Sequence, residues 1–173
     1  MYEVEAKAPF KKSDYARLKR EILKVARFVK KTAKKDFYFP GFKTLMIRLR
    51  VEGERGMMTI KAKSRAGGVE SNEEREWEVK DPPAFLRFMK KAGLPLTLKK
   101  QKFSEVFSKG PFSIELNRVT GLGYYLEIET MVKSKSSAKA ARKKLLLLFR
   151  HFGFNPSDLE NKYYLELLRK KNH

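Results

Sequence analysis

Charge recurs at every second residue in segment after segment of this chain. Glu3, Glu5 and Lys7 alternate with Val4 and Ala6, and Arg48 and Arg50 with Ile47, Leu49 and Val51. Lys61 and Lys63 alternate with Ile60 and Ala62, and Glu74, Glu76 and Glu78 with Arg75, Trp77 and Val79. Glu115 and Asn117 alternate with Ile114 and Leu116, and Glu127 and Glu129 with Leu126 and Ile128. A period of two is that of a β-strand, whose successive side chains point to opposite faces. An antiparallel sheet with one wet face accounts for any one of these segments. The set says more, because the charges sort by segment. Acids occupy 3/5, 127/129 and 74/76/78, and bases occupy 48/50 and 61/63. A sheet using charge only for solubility would mix signs along each strand.

If such a sheet closes into a barrel, the charged faces turn inward, where charges must be paired or ligated. A metal-bound polyphosphate satisfies both signs: carboxylates hold the divalent ions, and Lys and Arg hold the remaining phosphate oxygens. Arg48 and Arg50 suit bidentate phosphate contact, while Lys7 and Lys61 act as point charges. With no cysteine and only two histidines in the sequence, a thiolate nucleophile, a disulfide framework and a histidine-rich metal centre are excluded. A metal here takes oxygen ligands, which points to magnesium, manganese or calcium.

The 40 Lys+Arg against 20 Asp+Glu give a formal net charge of +20, so the partners expected are polyanions. The 173 residues suit one domain, and 42% hydrophobic content with 13 Phe separates the chain from a disordered polycation. No apolar run reaches the roughly 18 residues of a membrane span, and the acidic N-terminus lacks a signal-peptide pattern. The expectation is therefore a cytoplasmic protein with no membrane association.

Residues 11–31 read as a helix, with Ser13 or Asp14 as cap and Leu18, Ile22, Val25 and Val29 at helical spacing. Lys35–Phe39 reads as a short strand, Pro40–Phe42 as a turn, and 44–63 as a hairpin turning near Gly53 and Gly56. A loop spans 64–71, with Gly67 and Gly68 as a flexible connection. A strand with Trp77 on its core side follows, then a helix capped by Asp81 and Pro82 and ended by Gly93. Three more strands precede helices at about 136–171, whose apolar runs pack on the sheet. His151 reads as a surface or capping residue at a helix end. About eight hairpin-connected strands with helices between and after make an α+β chain with a mainly antiparallel sheet.

These segments resemble the CYTH family, named for class IV adenylyl cyclase and thiamine triphosphatase, the triphosphate tunnel metalloenzymes. Glu3-Val4-Glu5-Ala6-Lys7 matches the family's ExExK signature, and "DFYF" (36–39) resembles its DxYF segment. "IRLR" carries the paired arginines, "TIKAK" resembles the TxK strand, and "EREWEV" resembles the acidic strand, with Glu74, Glu76 and Glu78 in competing registers. "GLGYYLEIET" resembles the late LG…EIE motif, and "NKYYLELL" the tyrosine-containing C-terminal helix. ExExK alone is a weak signal; the four motifs in this order and spacing are specific.

The resemblance implies one domain over 1–173: a closed or nearly closed eight-stranded antiparallel β-barrel, a tunnel binding a triphosphate with Mg²⁺ or Mn²⁺. It implies metal ligands at Glu3, Glu5, Glu127 and Glu129, and phosphate contacts at Lys7, Arg48, Arg50 and Lys61. A carboxylate among Glu74, Glu76 and Glu78, or metal-bound water, would be the base. Two positions depart from the pattern. Asn117 stands where the family usually has Asp; it can offer a metal a neutral oxygen but no charge. Lys102 falls on the usual lysine of a KxR pair, with Ser104 where arginine is usual, and a shifted register gives Lys100 and Lys102. The activity expected is hydrolysis of inorganic triphosphate or of a triphosphate-bearing organic or nucleotide substrate. The alternative is cyclisation of ATP to cyclic AMP. A non-catalytic polyphosphate binder and non-specific nucleic-acid binding through the basic segments are further alternatives, and a homodimer stays open.

Overall fold

A computed structural model describes residues 2–40, 45–62, 65, 66 and 69–171. Lys63, Gly41 and Phe42 of the expected turn, and the Gly67–Gly68 connection lie outside the described residues. Among the described residues, nine strands form one sheet: β1 (Tyr2–Phe10), β2 (Arg27–Phe39), β3 (Leu45–Glu52), β4 (Arg55–Ala62), β5 (Arg65–Ala66), β6 (Val69–Val79), β7 (Leu98–Lys109), β8 (Phe112–Val119) and β9 (Gly123–Val132). The helices are α1 (Tyr15–Val25), α2 (Pro82–Lys91), α3 (Lys135–His151) and α4 (Tyr164–Lys171), with 3₁₀ turns at Lys12–Asp14 and Pro156–Asp158. The strand order is β1-β9-β8-β7-β2-β3-β4-β6, and β6 pairs back with β1. The result is a closed eight-stranded antiparallel barrel, with the short β5 paired to β6 outside the ring.

The hydrophobic core lies outside the barrel wall. Leu18 and Ile22 of α1 and Leu145 and Phe149 of α3 pack with Val4, Ala6, Ala8, Phe107, Ile114, Leu116, Leu126 and Ile128 of the strands. The apolar half of each alternation therefore faces the helices, and the pleat turns the charged half into the barrel. Burial of the apolar face drives this choice, because a one-residue slip would exchange the two faces. No described helix is long and apolar enough to cross a membrane.

Three local expectations are corrected. The helix expected over 11–31 stops at Val25, and neither Ser13 nor Asp14 caps it through a side chain. From Arg27 the chain joins β2, which pairs with β7 from Arg27↔Ser108 to Tyr38↔Leu98. That long ladder outweighs a local helical spacing, and Val29 and Thr32 favour extended backbone. The expected C-terminal helix from Pro156 is only one 3₁₀ turn before α4. Between them the Glu160 N–H donates to the Lys7 carbonyl at 2.8 Å, tying the segment to β1. Trp77 is 52% exposed rather than core, because α3 covers β1 and β9 and α1 covers β7, leaving this part of β6 without a helix.

Other local signals hold. The Asp81 carboxylate accepts from the Ala84 N–H at 2.8 Å, Gly93 ends α2 with φ of 75°, and exposed His151 closes α3. Gly56 has a steric reason: a Cβ there would lie 2.8 Å from both Pro82 Cγ and the Val79 carbonyl oxygen. Gly56→Ala is expected to destabilise the protein by about 1–3 kcal/mol through overpacking, read from the urea unfolding midpoint.

Candidate active site inside the barrel

The barrel interior divides by sign. Its acidic side comes from β1, β6 and β9. Register places Glu5 opposite both Glu70 and Glu129, so their side chains share the inner face. Carboxylate oxygens of Glu3, Glu5 and Glu129 lie within 4.8 Å of one another. Burial, then the adjoining carboxylate of Glu5, pushes Glu3 well above its ordinary range. Burial, then Glu115 and Glu127, raises Glu129 to about 7. Burial and then Glu5 likewise raise Glu70 to about 7. So much buried negative charge favours a bound cation, and three hard oxygen donors fit a divalent one. The Lys61 ammonium stands among them, against the Glu3 carboxylate, 2.6 Å from Glu74 and 3.8 Å from Glu5. Lys7 pairs with Glu70 at 2.9 Å.

The basic side comes from β2, β3 and β7. Buried Asp36 accepts from Arg50 at 2.8 and 3.1 Å and pairs with Lys100 at 2.8 Å. Burial opposes its charge, but Arg50 and Lys100 together hold Asp36 well below the usual carboxylate range. Lys102 bridges Glu115 at 2.7 Å and Glu127 at 2.8 Å, and Lys34 reaches Glu115 at 3.0 Å. Arg48 donates to Thr59 Oγ1 at 3.0 Å, and Thr59 donates to Glu76 at 3.0 Å. Arg48 Nε is buried without a hydrogen-bond partner among the described residues. Tyr164 of α4 lies beneath the ammoniums of Lys7 and Lys100, at 5.1 and 4.9 Å from its ring centre, and Tyr163, Tyr164 and Leu165 line the same cavity. The ion pairs leave little free space, ≈ 50 Å³. A polyanion entering here must draw Lys7, Lys61 and Lys102 away from the carboxylates that now neutralise them.

Lys7, Arg48, Arg50, Lys61 and Lys102 all line this cavity, with Glu3, Glu5, Glu127 and Glu129. Glu127 is engaged by Lys102 rather than gathered with the other three acids. Register settles the acidic strand: Glu74 lies opposite Lys61 and reaches it, Glu76 reaches Thr59, and exposed Glu78 sits with Lys30, Arg50 and Arg55 in a separate surface hollow. The departures at Asn117 and Ser104 prove to be one feature. The two are cross-strand partners, and Ser104 Oγ donates to Asn117 Oδ1 at 2.5 Å, a neutral buried pair. Asn117 Nδ2 is buried without a hydrogen-bond partner among the described residues.

Sequence reasoning left Lys34, Asp36, Glu70 and Glu115 without a role in the site. Lys34 lies just before the segment that reads as a strand, and Asp36 within it, but their charges are of opposite sign and sort with no alternating run of like charge. Glu70 falls in the segment 64–71 that reads as a loop, whereas β6 begins at Val69.

The model of the CYTH domain matches residues 1–164. A Methanocaldococcus jannaschii protein whose name proposes an adenylate cyclase is 25% identical over 96% of this chain and 98% of its own. The solved PH1012 protein of Pyrococcus horikoshii is similar at 27% identity and a TM-score of 0.84, covering 95% of this chain and 98% of that one. The PH1819 protein of the same organism is similar at 28% identity and a TM-score of 0.83, covering 98% and 99%.

Proposed function

This chain belongs to the CYTH family, and from that premise we propose that it is a metal-dependent triphosphatase acting on inorganic triphosphate or a triphosphate-bearing organic substrate. One observation carries the reading: a closed barrel whose interior sets the Glu3, Glu5 and Glu129 carboxylates on one side and the Arg48, Arg50, Lys100 and Lys102 cations on another. The three carboxylates would hold Mg²⁺ or Mn²⁺, which when bound neutralises phosphate oxygens and makes water more acidic. Arg48 and Arg50 bind equatorial phosphate oxygens in paired hydrogen bonds, and Lys7, Lys61 and Lys102 supply point charges. Asp36 holds Arg50 and Lys100 in place before the anion arrives, so little reorganisation is left for the transition state. Glu74, beside Lys61 at the acidic side, would accept a proton from attacking water. Tyr164 covers Lys7 and Lys100 and keeps bulk water from them.

The second reading is adenylyl cyclisation, which the name of the archaeal relative favours. Phosphate, pyrophosphate and cyclic AMP should therefore be measured together, from inorganic triphosphate and from ATP, with Mg²⁺ and with Mn²⁺. The expected product is phosphate, formed only with metal and lost in Glu3→Gln. Cyclic AMP and pyrophosphate from ATP would establish the cyclase instead. Tight triphosphate binding without turnover would mark a binding relative, and neither binding nor turnover would end the reading.

A further inference from the structure

Lys61 stands in the midst of the acids that would hold the metal. Its ammonium is 4% exposed as a residue, touches Glu3, lies 2.6 Å from Glu74 and is 3.8 Å from Glu5. Glu3 and Glu5 belong to the same three-carboxylate group as Glu129. The other interior lysines are differently placed: Lys7 pairs with Glu70, Lys100 with Asp36, and Lys102 with Glu115 and Glu127. A monovalent cation, tethered to β4 by a four-carbon arm, thus compensates two of the three carboxylates that would hold a divalent one.

We propose that Lys61 is an exchangeable internal counter-ion, which holds the carboxylate group together without metal and yields its place when metal binds. The inference rests on the function proposed above and adds a coupling to it. Without metal, an anion that recruits Lys61 must strip it from Glu3 and Glu74 and leave buried carboxylates uncompensated, which is costly. With metal on Glu3, Glu5 and Glu129, Lys61 gives up only its pair with Glu74, the cost falls, and the ammonium is free to meet the anion. Metal and anion then strengthen one another's binding, and linkage makes the effect reciprocal.

The test is Mn²⁺ binding to the whole chain without phosphate, read as loss of the free-ion electron paramagnetic resonance signal. Lys61→Gln is expected to bind Mn²⁺ about tenfold more tightly than the native protein, within the usual range of couplings. Lys61→Arg, which keeps the charge, should stay near native affinity and show that the fold tolerates change at this position. Lys102→Gln removes an equal charge from the other group of acids and should have a much smaller effect. Calorimetry with pyrophosphate completes the test: adding Mg²⁺ should improve its affinity more for the native protein than for Lys61→Gln, chelation in solution being common to both. Equal or weaker Mn²⁺ binding by Lys61→Gln, or an equal gain in Lys102→Gln, overturns the proposal. If Mn²⁺ binds both native and Lys61→Gln proteins equally and Glu3→Gln abolishes binding, the exchange is wrong and the metal reading survives. If neither protein binds Mn²⁺, the metal reading itself fails.

Discussion

Asp36→Ala is expected to lower the unfolding free energy by roughly 3–5 kcal/mol, the usual cost of removing one member of a buried ion pair. The Asp36 side chain is wholly buried and serves two cations, Arg50 through both carboxylate oxygens and Lys100 through one. Alanine would leave two positive charges facing each other across β3, β2 and β7 with nothing between them. A shifted urea midpoint at constant slope would register the loss. Asp36→Asn keeps the shape and one accepting oxygen but loses the charge and turns the other acceptor into a donor facing a cation, so it should be less stable than the native protein and nearer to Asp36→Ala. The native protein has a matching acid sensitivity. Burial opposes the Asp36 charge, but Arg50 and Lys100 hold its folded value well below the ordinary one. Its stabilisation is therefore full above the unfolded value and is lost as pH falls through the folded value. An unfolding free energy measured down the acid limb should fall less in Asp36→Asn than in the native protein. Equal acid sensitivity would show that Asp36 is not the group responsible.

Arg48→Ala is expected to reduce kcat for metal-dependent phosphate release by about 10²–10³, the scale seen when one preorganised charge-stabilising donor is removed. Arg48 is buried and held through Thr59, itself hydrogen-bonded to Glu76, so its guanidinium is ordered before an anion arrives. Its Nε has no partner among the described residues, an unusual cost for a buried donor unless an anion supplies the acceptor. Arg48→Lys should recover little, because an ammonium cannot reproduce the planar fork. The kinetic pattern matters as much as the size. Loss mainly in kcat places the contact in the transition state, whereas a raised KM with unchanged kcat would assign Arg48 to ground-state binding alone. Unaltered kinetics in both variants would remove Arg48 from the site.

The period-two alternation of charge and apolar groups is written locally, residue by residue, and it alone determined that the chain forms strands with one polar and one apolar face. It also sorted the acids of β1 and β9 from the bases of β3. Parity put Glu3, Glu5, Glu129, Arg48, Arg50 and Lys61 on the charged faces of their strands, and all six line the interior cavity. Tertiary structure decided the rest. Residues 27–31 have helical spacing yet lie in β2, since pairing with residues 105–108 of β7, far along the chain, outweighs a short local preference. Trp77 has the parity of a covered residue and is exposed, because helix placement determines which parts of the outer wall are covered. The choice among Glu74, Glu76 and Glu78 was a matter of register between β4 and β6, which no single strand contains. Ser104 and Asn117 looked like two separate departures until β7 met β8 and made them one hydrogen-bonded pair. The partners of each buried charge, Asp36 with Arg50 and Lys100, and Lys61 with Glu3 and Glu74, arise only when the barrel closes, because electrostatic pairing depends on distances through space that strand order and stagger set.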